Sequence, residues 1–83
     1  MNAKAAGFLA IDRGDHQEAV NLFMRSLQKA KDPSGYYGFG LAHLMLEDHA
    51  TARWAFHKTL EMDPTHPEAI RRLSLMKIQE VDA

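Results

Sequence analysis

Eighty-three residues allow one domain, and a chain of that size buries only a little more than about 60% of the surface it exposes when unfolded. It has no cysteine, which excludes a disulfide framework, a thiolate metal site and a cysteine nucleophile. Ten basic and eleven acidic residues nearly cancel, and no Lys/Arg stripe is present, so the electrostatic footprint of a nucleic-acid or anionic-membrane binder is missing.

The first expected helix covers residues 3 to 12. Its apolar run, Ala5 to Ile11, closes at Asp12 and Arg13, too short and too early charged for a secretory signal. Arg13-Gly14-Asp15 ends it: glycine tolerates the positive φ of a helix C-terminus, and an aspartate side chain caps the next helix. The second helix carries Ala19, Phe23, Ser26 and Leu27 at spacings of three and four, an amphipathic stripe. Asp32-Pro33-Ser34 interrupts the pattern, and Pro33 suits the first turn of a third helix with its apolar run at 36 to 46. Glu47-Asp48 follows without a glycine, so this turn needs another way of ending the helix, with Asp48 left as the cap. A fourth helix bears Ala52, Phe56, Thr59 and Leu60, and Asp63-Pro64 ends it. From Pro67 to about Gln79 a fifth helix sets Ile70, Leu73 and Met76 on an apolar side with Leu75 and Ile78 near it, against Arg71, Arg72, Lys77 and Glu80. No window approaches the ~20 apolar residues of a membrane span, and a soluble cytoplasmic protein is expected.

An offset of 33 superposes Gly7 on Gly40, Asp15-His16 on Asp48-His49, Ala19 on Ala52, Phe23 on Phe56 and Leu27 on Leu60, with Arg25-Ser26 over Lys58-Thr59. The chain contains an internal repeat of a helix-turn-helix unit. A unit of about 34 residues with W-x2-L-G-x2-Y, then A-x3-F, then P is the tetratricopeptide repeat (TPR) pattern. Ala3, Ala6-Gly7, Ala10, Ala19 and Phe23 in the first unit, and Tyr36, Phe39-Gly40, His43, Ala52, Phe56 and Asp63-Pro64 in the second, resemble it over nearly the whole chain.

The resemblance implies an all-α fold: one TPR-like domain over 1–83, with repeats at about 2–32 and 33–66 and a capping helix at about 67–80, together a fragment of a right-handed α-solenoid. It also implies that Gly7, Gly40, Ala19 and Ala52 permit close helix approach, and that Tyr36, Phe39, Gly40 and His43 are packing positions. Lys4, Phe8 and Ile11, then Tyr37, Leu41, Leu44 and Met45, then Arg71, Leu75 and Ile78 then line a concave apolar groove. An apolar patch of this kind marks an interaction site, and its aliphatic, methionine and aromatic groups suit an amphipathic helix of a protein partner. The bland alternative is that the capping helix folds across these side chains and makes them core. The carboxylate clamp of some family members is not reproduced: Lys4 and Arg72 stand where two cations would be, but Phe8, Gly38 and Glu68 replace the other members.

Two repeats and a cap fall short of the three that such arrays usually need, so self-association or a bound partner is expected. Trp54, equivalent to Asn21, is expected on the convex side, either as the anchor of a second interface or lying on neighbouring helix surface. Of the five histidines, His16 and His49 are equivalent turn residues, His43 fills an aromatic slot, and His57 and His66 are expected on the surface. No pair has the i, i+4 spacing of a helix-borne zinc site, and no nucleophile-base motif occurs, so neither a metal, a cofactor nor catalytic activity is expected. The expected function is binding of a protein or peptide segment, with homo-oligomerisation through the groove or Trp54 as the alternative.

Overall fold

The computed structural model describes residues 2–82, with side chains described through residue 78. Five helices follow one another: α1 (Ala3–Asp12), α2 (His16–Lys29), α3 (Pro33–Met45), α4 (His49–Met62) and α5 (Pro67–Asp82). Each packs on its neighbours in sequence, and α1 also touches α3. The result is an elongated all-helical body of 40 × 26 × 17 Å. No strand occurs among the described residues.

Local chemistry sets the boundaries. Asn2 caps α1 by accepting the Ala5 N–H at 2.8 Å, and Asp32 caps α3 by accepting the Gly35 N–H at 2.6 Å, with Pro33 in the first turn. Asp48 caps α4 through the Thr51 N–H at 3.2 Å. Asp15 occupies the equivalent place before α2 but its side chain makes no capping bond, contrary to expectation. Its backbone N–H is instead committed to the Ala10 carbonyl at 2.8 Å, and the Gly14 N–H bonds Ile11 at 2.9 Å. These two bonds form a Schellman closure, with Gly14 at φ +81°. The α3–α4 turn repeats the closure without glycine. Glu47 and Asp48 donate to Leu44 and His43 at 3.0 and 2.9 Å, and Glu47 is driven to φ +63°.

The core divides in two. Ala10, Ala19, Val20, Leu22, Phe23 and Ala42 form one buried cluster, joined by half-buried Ala6, Phe8, Ile11 and Phe39. Ala52, Phe56 and Met76 form the other, with Tyr37, Leu44 and Leu73 against it. Phe23 and Phe56, equivalent in the repeat, are both fully buried. Glycine makes their burial possible: a Cβ at Gly7 would stand 2.9 Å from the Phe23 ring, and one at Gly40 would stand 2.8 Å from Phe56. Gly38 is tighter still, since a Cβ there would lie inside the van der Waals envelope of Phe23 Cε1 and Cζ. Thr59 is buried with its hydroxyl satisfied, donating to the Ala55 carbonyl at 3.0 Å.

Helix α5 covers the second cluster with Ala69 and Met76 buried and Leu73 half-buried. Ile70, expected on the apolar side, is exposed: Ala69, Leu73 and Met76 make the covered face of α5, and Ile70 lies off that stripe.

Candidate functional site

The residues expected to line one wall start from repeat-equivalent positions. Phe8 and Leu41 are related by 33 residues, and Leu41 and Leu75 by 34; Ile11, Leu44 and Ile78 form a second row. Phe8, Ile11, Leu41 and Leu44 are half-buried, whereas Met45 is 42% and Leu75 48% exposed and Ile78 is more open still. Apolar surface therefore emerges mainly toward the C-terminal ends of α3 and α5.

Several members are more engaged than the spacing implies. The Phe8 ring meets Phe23 edge-on, with centroids 4.8 Å apart. Tyr37 does not project into open space: its ring lies 5.6 Å from Phe56 and 5.1 Å from His66, and it belongs with Leu44 to the margin of the second core cluster. Lys4 is not a free groove cation, since its Nζ bonds Asp32 Oδ2 at 2.9 Å and ties the start of α1 to the cap of α3. Partial burial pushes the Asp32 carboxyl up, but the Lys4 hydrogen bond, the Gly35 N–H and the Lys4 charge outweigh it and leave the group below the ordinary carboxylate range. Arg71 is exposed on α5.

His66, expected on the surface, is a structural residue with its side chain only 13% exposed. Its Nδ1 accepts the Ala69 N–H at 3.2 Å and so caps α5, and its Nε2 lies 3.8 Å from Glu68 Oε2. The signal in the sequence was His66-Pro67, the position before a helix-starting proline that Asp32 holds in Asp32-Pro33. His43 Nδ1 stands 3.2 Å from Asp48 Oδ2, and its ring meets Phe39 at 4.6 Å. Asp48 lies below its ordinary range through hydrogen bonds from the Thr51 side chain and backbone, with His43 adding to the effect.

Trp54 lies on α4 with half its surface exposed, and its ring stands edge-on to Tyr36 at 6.0 Å and to Phe39 at 6.4 Å. Tyr36, Phe39 and His43, expected in the packed interior, are only half-buried. Tyr36 and Phe39 form the floor of an open groove of about 430 Å³ between α2 and α4, a feature that the repeat pattern did not disclose. Met24 and Trp54, both outside the Ala/Phe stripes of their helices, were the available signal.

Among the described residues no three histidine, aspartate or glutamate side chains cluster so as to hold a metal ion, and no helix is long and apolar enough to cross a membrane. No family model, curated protein or solved structure matches this chain.

Proposed function

We propose that the chain is a tetratricopeptide-like protein-interaction module whose concave wall, on α1, α3 and α5, docks an amphipathic helical segment of a protein partner. The observation that carries this reading is the apolar row Phe8, Leu41 and Leu75: one residue per structural unit, at equivalent positions, half-buried on α1 and α3 and exposed on α5. Met45 widens the apolar surface, and Arg71 supplies a charge for an acidic flank of the partner. Helices braced by two buried cores present this surface preformed, so little ordering entropy is lost on docking. The module acts by binding, with no catalytic residue and no cofactor assigned, and a cysteine-free chain of this kind suits the cytoplasm.

Light scattering across a concentration series, followed by titration of a leucine-rich amphipathic helical peptide, tests the reading. A monomer that binds the peptide, and loses it in Met45→Glu and Leu75→Glu with helicity unchanged, supports the module. A dimer that the same substitutions dissociate assigns the wall to self-assembly. Binding retained in both variants removes the wall as the site.

A further inference from the structure

The groove between α2 and α4 is built from different residues than the wall, and its composition specifies an occupant. Tyr36 and Phe39 of α3 form its floor, Met24 and Leu27 its α2 bank, and Trp54 its α4 bank. Met24 and Trp54 are each about half exposed, so large apolar side chains remain in water on both sides of a concave surface. The two aromatic contacts to Trp54 are edge-to-face, at interplanar angles of 78° and 75°. With Trp54 half exposed, part of its ring remains in water where a further aromatic or leucine side chain can meet it.

The charges at the groove have one sign. Lys31 follows α2, and Lys58 stands on α4 with its Nζ 5.8 Å from the Trp54 ring centroid; no acidic residue lines the groove. Lys58 also pairs with Glu61 at 3.1 Å, one helical turn on, but Glu61 is not among the groove's lining residues, and an exposed pair of this kind is weak enough to be exchanged for an incoming carboxylate. A cationic ligand is opposed by both lysines. The volume falls in the range of ordinary ligand sites, but the groove is open rather than enclosed, which fits a chain that enters and leaves it better than a small amphiphile that would stay half solvated.

We propose that this groove is a second docking site, for an acidic peptide segment that seats one aromatic or leucine side chain on Tyr36, Phe39 and Trp54 and pairs flanking carboxylates with Lys31 and Lys58. Affinity is set by the apolar anchor and selectivity by the lysines, which steer carboxylates in and exclude basic sequences. The site stands apart from the wall of α1, α3 and α5.

Trp54 is the only tryptophan and sits in the groove, so its fluorescence reports occupancy directly. The probe is a short blocked peptide with one phenylalanine between aspartate and glutamate pairs, titrated beside its lysine-substituted counterpart. The expected result is a saturable change in Trp54 emission with the acidic peptide alone. Raised salt should weaken it, and Lys31→Glu or Lys58→Gln should weaken it by about two- to fivefold. Both variants keep Trp54, and circular dichroism checks that they keep their helices. Met45→Glu and Leu75→Glu should leave the titration unchanged, so that loss of the wall and loss of the groove are separate outcomes. The proposal is overturned by no saturable change with the acidic peptide, by equal binding of the lysine peptide, or by lysine variants that bind as tightly as the parent. Saturation by decanoate but not by peptide would reassign the groove to a carboxylate amphiphile. A Trp54 change that follows protein concentration alone would reassign it to a second copy of the chain.

Discussion

Gly38→Ala turns the packing of Phe23 into a measurable quantity. In an exposed helix interior, replacing glycine by alanine stabilises by about 1 kcal/mol through helix propensity. At Gly38 the added methyl would overlap Phe23 Cε1 and Cζ and come within 2.8 Å of Cδ1. The ring has no room to retreat, because it is fully buried and its other edge already lies where a Gly7 Cβ would stand 2.9 Å from Cε2. Overpacking of this kind costs about 1–3 kcal/mol, and with an obstructed ring the upper half of that range applies. Subtracting the propensity gain leaves a net loss of about 1–2 kcal/mol, which for a domain of this size lowers Tm by about 4–16 °C. Thermal unfolding followed by far-UV circular dichroism measures it. A double-mutant cycle with Phe23→Leu identifies the cause: in that background Gly38→Ala should be neutral or stabilising, a coupling of about 1–3 kcal/mol. A rise in Tm from Gly38→Ala alone, or the same cost in both backgrounds, would refute the close approach of α2 and α3.

Glu47→Gly should raise stability by about 1 kcal/mol, because a left-handed conformation costs a non-glycine residue about 1–2 kcal/mol and glycine gives back part of that gain as unfolded-state entropy; urea unfolding at neutral pH measures it. Met76→Ala should cost about 2–4 kcal/mol by opening the second core cluster beneath α5, with protease sensitivity appearing first in α5. Asp32 and Asp48 are held below the unfolded carboxylate value of about 3.9, so their stabilisation is complete above roughly pH 4 and is lost as pH falls through the folded values; Tm should drop below that point, and Asp32→Asn, which keeps a capping side chain, should flatten the drop.

Some of this architecture was legible because the repeat duplicates its physical causes. Gly7 and Gly40, Ala19 and Ala52, and Phe23 and Phe56 occur as pairs because the same helix crossing is built twice. Gly38 escaped that comparison, since its equivalent is Ala5. Among the described residues no helix packs over Ala5, which is exposed, whereas α2 presses Phe23 onto Gly38. The same asymmetry explains Ile70: it is the equivalent of Tyr36 one unit on, but among the described residues no helix follows α5 to meet it. Spacing within a helix marks an apolar face without naming its neighbour, so it does not show that Tyr37 and Leu44 pack on the second core cluster or that His66 lies beside Tyr37. His66 was missed for a chemical reason. Histidine is a rare cap, and its role depends on which ring nitrogen faces the helix.

The apolar character of α3 all round follows from its central place. Gly35, Gly38 and Ala42 turn toward α2, where Leu27 and Phe23 fill the space that side chains would take. Gly40 turns toward Phe56 and Ala55 of α4, and Tyr37 reaches His66 at the start of α5. Two sectors are left incompletely covered: Leu41 and Met45 on one side, Tyr36 and Phe39 on the other. They lie on well-separated parts of the helix circumference, so a ligand on one does not block the other. Their contents also differ, since the first is aliphatic and the second is aromatic between two lysines. A helix that served a single interface would need only one such sector. On the two proposed sites one α3 would hold two different segments at once, and titrating the acidic peptide into protein already saturated with the amphipathic helix should give the same affinity as into free protein.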